Sequence, residues 1–228
     1  AIVSEEFTVS YKDLIQSCQE YTLWLTHKKI SPGAVVSFDG DYSPQSVGLF
    51  LALAQNKNII VPLSRDSRNH FIEFRDIAST EYDISLENNN PDLLTTGRKA
   101  ENTLYEELKN RKSPGLVLFS SGSTGKSKAI VQDLDKLMSK FRTPRKAMRM
   151  LIFLQLDHIG GINSLLYSLA NNGTVIISQG RTPVNVCQAI ETFKADLLPT
   201  SPTFLNLLML SKAYEEFDIS SLKLITYG

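Results

Sequence analysis

The sequence predicts an α/β protein with a largely parallel sheet flanked by helices. Three observations carry that expectation. Short apolar runs of strand length recur at 35–38, 58–63, 116–119, 150–154, 174–178, 196–198 and 222–227. They are short and mostly apolar, which suits strands buried on both faces by helices. Between them stand repeated helix starts of one design, a hydroxyl residue followed by proline, at Ser43-Pro44, Thr182-Pro183 and Ser201-Pro202. Proline suits the first helical position because its missing N–H would be unpaired there anyway.

The elements follow in order. Ser10 with Asp13 forms an S-x-x-D start signal, and Tyr11, Leu14, Ile15, Cys18, Tyr21 and Leu25 then recur at helical spacing. Ser31-Pro32-Gly33 closes that helix before the strand at 35–38. A helix from Ser43-Pro44 leads to the strand at 58–63. Residues 87–100, with Asn88-Asn89-Asn90-Pro91 and Gly97, read as a surface loop, and a subdomain joint is expected near 87–103. The strand at 116–119 runs into a glycine- and hydroxyl-rich loop. Ala129-Ile130-Val131-Gln132 then looks extended, and the next helix start is Asp133 before Leu134. The remaining strands alternate with the helices begun by Thr182 and Ser201.

Composition excludes several functions. The 228 residues hold 24 Lys plus Arg against 24 Asp plus Glu, so the basic excess of a phosphate-neutralising nucleic-acid binder is absent. The longest apolar run, residues 47–54, falls far short of the roughly 20 residues a membrane span needs. Cys18 and Cys187 are too few for a disulfide scaffold and sit at helical apolar positions. Together with a start lacking signal-peptide character, they favour a cytoplasmic setting. His27 and His70 show no metal-ligand spacing. Lys140, Arg142, Arg145, Lys146 and Arg149 form a basic run without intervening acids, read either as a solvated face or as a surface that draws in phosphates.

The most informative segment is the loop after 116–119: Ser120, Ser121, Gly122, Ser123, Thr124 and Gly125, followed by Lys126, Ser127 and Lys128. Glycines let backbone N–H groups approach phosphate oxygens, hydroxyls donate to phosphate or ligate Mg²⁺, and lysine adds a point charge. A flexible polar turn has similar composition, but this one sits where ligand loops of α/β proteins lie. Two phosphate-loop readings compete. Gly125-Lys126-Ser127 fits the end of the Walker loop of nucleotide hydrolases, G-x-x-x-x-G-K-[ST], and the run 151–157 resembles its strand ending in a Mg²⁺-binding aspartate. That loop needs a glycine where Ser120 stands, and a helix beginning at its Lys-Ser.

The second reading is a resemblance. Ser120-Ser-Gly-Ser-Thr-Gly-Lys-Ser-Lys128-Ala129 resembles the phosphate-binding signature T-S-G-S/T-T-G-x-P-K-G of adenylate-forming enzymes: acyl-CoA synthetases, peptide-synthetase adenylation domains and luciferases. Ser127 replaces the usual proline, which should loosen the loop, and Ala129 replaces the usual glycine. Further segments agree in order. Phe7–Leu14 is similar to the family's opening strand and helix. Ile30–Val36 is similar to G-V-x-P-G-D-x-V, and Pro44–Leu63 to the segment ending V-P-L. The run 153–163 resembles P-L-F-H-x-x-G. Gly173–Ile177 resembles the G-x-x-x-V strand, Ala195–Thr203 the segment ending V-P-T, and 222–228 the strand leading into the adenine-binding turn.

The resemblance implies the N-terminal portion of an acyl-CoA synthetase large domain, spanning 1–228. It implies ATP and Mg²⁺ as cofactors, CoA as co-substrate, and a small-molecule carboxylic acid as partner. Ser120, Ser121, Gly122, Ser123, Thr124, Gly125 and Lys128 would hold nucleotide phosphates, with Thr124 on Mg²⁺. Tyr227 and Gly228 would begin the adenine turn. Lys128 and His158 are the implied catalytic residues. His158 would border the acid beside Gly160 and Gly161, whose tight helix start suits an anionic group; without the resemblance, such a histidine reads as partly buried and bonded to a carbonyl. Asp157 stands where phenylalanine is usual, making the pocket mouth more polar or capping the next helix. The family's aromatic-glycine-x-T-E segment, ribose-binding aspartate and C-terminal-domain lysine do not occur here. The chain is therefore expected to be a fragment that binds nucleotide weakly and catalyses nothing alone. A nucleotide-binding or interaction domain without catalysis stands as a further alternative.

Overall fold

The computed structural model describes residues 1–86, 91–121 and 127–227. The α/β expectation holds. The described residues form two six-stranded sheets, each with parallel inner strands and antiparallel pairing at an edge. They divide into two compact units, one of residues 1–11, 141–155 and 159–228, the other of residues 12–140 and 156–158. Among the described residues no helix is long and apolar enough to cross a membrane.

The first unit opens with β1 (Ile2–Val3) and β2 (Thr8–Val9), an antiparallel pair. The chain then builds the second unit. Helix α1 (Tyr11–His27) buries Leu14, Tyr21 and Leu25. It stops before Ser31-Pro32-Gly33: Lys29 turns left-handed (φ 57°) and the Ile30 N–H returns to the Leu25 carbonyl at 3.0 Å. Ser31-Pro32-Gly33-Ala34 is a separate turn. The Ala34 N–H donates to the Ser31 carbonyl at 3.2 Å, and Gly33 takes the positive φ (80°) that the third position requires.

The chain continues through β3 (Val35–Asp39), α2 (Pro44–Gln55), β4 (Ile59–Leu63), a 3₁₀ turn (Arg65–His70), α3 (Phe71–Ala78) and β5 (Tyr82–Ser85). It follows with β6 (Asp92–Thr95), α4 (Thr103–Asn110), β7 (Gly115–Ser121), β8 (Ser127–Asp133) and α5 (Leu134–Ser139). The sheet order is β6-β5-β3-β4-β7-β8. The four inner strands are parallel, so their C-terminal ends share one edge. Val35, Ile59, Val61, Leu63, Tyr105 and Val117 pack one core. The surface loop expected at 87–100 is corrected in part. Residues 92–95 form β6, antiparallel to β5 at the sheet's outer margin; backbone pairing makes this strand, while its side chains lie mostly towards solvent and leave no apolar run. Asn88, Asn89 and Asn90 lie outside the described residues.

The first unit resumes with β9 (Arg149–Leu151), α6 (Ile159–Ala170), β10 (Thr174–Ile176), α7 (Pro183–Phe193), β11 (Leu197–Thr200), α8 (Pro202–Ser211) and β12 (Leu224–Tyr227). Its order is β12-β11-β9-β10-β1-β2, parallel except for β1 with β2. The expected strand 150–154 ends early, at Leu151, where the chain leaves the sheet and Phe153 packs at a tilt against Phe204 with ring centroids 4.3 Å apart. The basic run includes residues 141–148, which form neither helix nor strand.

Candidate functional site

Strand β7 lies between β4 and the edge strand β8, is buried over Gly115–Leu118, and leads in sequence into the glycine-hydroxyl segment. The strands on either side of it, β7 and β8, pair antiparallel and form the β7–β8 hairpin. Ser120 pairs with Lys128 and Ser121 with Ser127, so two residues expected to hold phosphate stand directly opposite one another. Both Ser120 and Lys128 are exposed. Gly122, Ser123, Thr124, Gly125 and Lys126 lie outside the described residues, as does Gly228. Among the described residues no group of three or more His, Cys, Asp or Glu gathers to hold a metal.

The segment after the loop separates the two phosphate-loop readings. Ser127–Asp133 is a strand, and the next helix starts only after Asp133, whose side chain accepts from the Lys136 N–H. A Walker loop needs its helix at the Lys-Ser step, so the local fold departs from it.

Ser127 is better held than its departure from proline suggests. Its N–H, which proline would lack, donates to Glu73 Oε1 at 3.3 Å. His70 lies 3.2 Å from the other Glu73 oxygen. The His70 bond first, then the Ser127 hydroxyl and N–H, hold the Glu73 carboxyl below its ordinary pKa. The next residue, Phe74, stacks flat on Phe119 of β7 at 4.0 Å. Helix α3 therefore braces both strands of the hairpin.

His158 is exposed and belongs to the same compact unit as the hairpin. Its neighbour Asp157 accepts from the N–H and hydroxyl of Ser64, which directly follows β4. Strand β4 is the parallel neighbour of β7, with Ile59 beside Gly115 and Ile60 beside Leu116. Asp157 is thus held at the sheet edge towards which β7 also runs. Tyr42 has its hydroxyl buried with no hydrogen-bond partner among the described residues. Burial, and then the charge of Asp157, push that phenol well above its ordinary pKa.

Gly160, Gly161 and Tyr227 belong to the other unit. Gly160 and Gly161 lie in the first turn of α6, which carries no acidic residue that would repel an anion. Tyr227 closes β12 and is 68% exposed. Sequence reasoning missed Ser64, Ser67 and Glu73. The only available signal for the serines was two hydroxyls three apart immediately after a buried strand.

Inner parallel strands with the β7–β8 hairpin at their C-terminal edge define an α/β fold. Solved structures agree. The amide bond synthetase McbA of Marinactinospora thermotolerans matches 100% of this chain and 52% of its own, with TM-score 0.73 at 20% identity. The N-terminal subdomain of Klebsiella oxytoca NpsA, solved in complex with 3-hydroxyanthranilyl-AMSN, matches 100% of this chain and 61% of its own, with TM-score 0.76 at 17% identity. Among curated proteins, the acetyl-coenzyme A synthetase of Salmonella typhi is 30% identical over 141 residues, 56% of this chain and 22% of that protein. The 4-coumarate--CoA ligase-like 9 of Arabidopsis thaliana is 26% identical over 129 residues, 52% of this chain and 23% of that protein. The chain thus covers less than a quarter of these curated relatives' length. The AMP-binding enzyme family matches residues 72–228, well over half of the chain, and the chain belongs to that family.

Proposed function

We propose that this chain is the phosphate-holding part of an ATP-dependent ligase that activates a carboxylic acid and passes it to a thiol. The observation that carries the reading is the β7–β8 hairpin, which sets Ser120 opposite Lys128 at the mouth of a glycine-hydroxyl loop. In the first step a carboxylate oxygen of the acid attacks the α-phosphorus of ATP, which enters as its Mg²⁺ complex. The bond to the β-phosphate oxygen breaks, giving acyl-adenylate and pyrophosphate. In the second, a thiol, CoA by the family's chemistry, loses its proton and attacks the acyl carbon, and AMP leaves.

The residues have distinct tasks. Ser120 and Ser121, with Gly122, Ser123, Thr124 and Gly125, hold phosphate oxygens, and Lys128 opposes the charge that develops on the departing pyrophosphate. His158 borders the acid's carboxylate, and the first turn of α6 at Gly160 and Gly161, free of acidic side chains, suits an anionic group. Tyr227 and Gly228 lead towards the adenine. Little covalent work falls to the protein; alignment and charge stabilisation supply the rate.

The test is exchange of labelled pyrophosphate into ATP by the full-length protein across a panel of carboxylic acids. Lys128→Ala should lower exchange with the best acid by about 100-fold, and Lys126→Ala by only a few-fold. Dominance of Lys126 would return the loop to the Walker reading. Nucleotide binding without exchange for any acid would make the protein a non-catalytic nucleotide-binding domain.

A further inference from the structure

His158 stands in a stretch without helix or strand, between the end of β9 at Leu151 and the start of α6 at Ile159. Its two preceding neighbours are fastened. Leu156 is buried. Asp157 turns one oxygen, Oδ2, onto three donors: the Ser64 N–H at 3.1 Å, the Ser64 hydroxyl at 2.7 Å and the Ser67 hydroxyl at 2.7 Å. Bonds to an ionised acceptor are shorter and stronger than neutral ones, and three on one oxygen leave it little freedom to turn. Neither expectation for Asp157, a polar pocket mouth or a helix cap, includes this arrangement.

The serines are themselves fixed. Ser64 is fully buried and follows β4 without a break. The Arg65 N–H donates to Asp41 Oδ1 at 3.1 Å, and the Gly40 N–H donates to the Leu63 carbonyl at 3.0 Å. The ends of β3 and β4 are therefore tied to each other, and Asp157 is tied to them.

We propose that Asp157 is a positioning residue: through Ser64 and Ser67 it holds the His158 segment at the C-terminal edge of the sheet that carries the phosphate hairpin. It acts on the acid through His158 rather than by touching it. The proposal rests on the reading of His158 as the residue bordering the acid. Asparagine keeps an acceptor oxygen at the same place but loses the charge, whereas alanine removes the acceptor altogether.

The experiment has two arms. In the first, hydrogen exchange is followed at residues 152–159 of the wild type, Asp157→Ala, Asp157→Asn and the Ser64→Ala/Ser67→Ala pair. Exchange there should quicken about tenfold or more in Asp157→Ala and in the serine pair, and less in Asp157→Asn, with α2 unchanged. The serine pair and the asparagine variant keep the test valid should Asp157→Ala fold poorly. Exchange at 152–159 that matches wild type in all variants overturns the tether.

In the second arm, pyrophosphate exchange by the full-length protein should show KM for the acid raised about tenfold in Asp157→Ala, with KM for ATP within about twofold of wild type. Asparagine should restore part of the loss. An unchanged KM for the acid in Asp157→Ala, beside a raised one in His158→Ala, overturns the positioning role while leaving the functional reading intact. An unchanged KM in His158→Ala overturns the acid-bordering reading on which the proposal rests.

Discussion

Asp133 accepts from the Ser113 hydroxyl at 2.6 Å and from the Lys136 N–H at 3.1 Å, and Arg111 lies 3.3 Å from its other oxygen. Burial alone pushes its pKa up. The Ser113 bond, the Lys136 N–H and the Arg111 charge outweigh that and leave it below the ordinary value. A carboxyl depressed in the folded state contributes stability above its unfolded pKa, and that contribution is lost as pH falls through the folded value. Asp133→Asn keeps the helix cap but removes the charge. Its stability should therefore decline less steeply than the wild type's below about pH 4, while Asp133→Ala loses about 1 kcal/mol at neutral pH through the missing cap. Urea midpoints at pH 7, 4 and 3 measure both, and parallel pH profiles for wild type and asparagine would sink the argument. That Asp133 starts a helix was legible from its place before Leu134. Its bond to Ser113, twenty positions upstream, was not, because only the folded sheet brings the two together.

Helix starts were readable where helix ends were not. Each hydroxyl-proline start is capped as its chemistry predicts: Ser43 accepts from the Ser46 N–H, Thr182 from Asn185 and Ser201 from Phe204. The ends depart from the glycine rule. Among the described residues seven non-glycine positions have positive φ, and five of them are lysines: Lys29, Lys57, Lys112, Lys194 and Lys212. A lysine charge favours the negative end of a helix, but its Cβ strains a left-handed backbone. At Lys112 (φ 52°) the Ser113 N–H returns to the Leu108 carbonyl at 3.0 Å, so the turn itself is well formed. Lys112→Gly should relieve that strain and raise stability by about 0.5–1 kcal/mol, read as a higher denaturant midpoint at constant slope. A lower midpoint would mean that lysine's charge outweighs the strain. The same asymmetry governed the site. The extended run Ala129–Gln132 was visible in the sequence but its antiparallel pairing with β7 was not, and the bonds from the Ser127 N–H to Glu73 and from Ser64 to Asp157 join residues far apart in sequence.

At the scale of the whole chain, the α/β class was legible because buried strands are apolar on both faces. The edge strand β6 escaped because pairing, rather than side-chain pattern, makes it, whereas β12 was legible from its apolar residues. The margin at β12 has a physical consequence. Leu224, Ile225 and Tyr227 are exposed along this edge strand, and Leu207, Met209 and Leu210 are exposed on α8, Leu210 by 81%. An edge strand offers unpaired N–H and carbonyl groups to another chain, and apolar side chains beside it strengthen such pairing. The 24 basic and 24 acidic residues leave no net charge to keep molecules apart. The 228-residue chain should therefore self-associate at neutral pH as its concentration rises. Leu210→Glu combined with Ile225→Lys puts a charge on α8 and a lysine on the strand edge while keeping the net charge at zero. A lower scattering intensity for this pair then reports the apolar surface rather than overall repulsion. We expect light scattering at matched concentrations to fall in the double variant with an unchanged melting temperature. Scattering equal to that of the wild type would place the source of association away from α8 and β12.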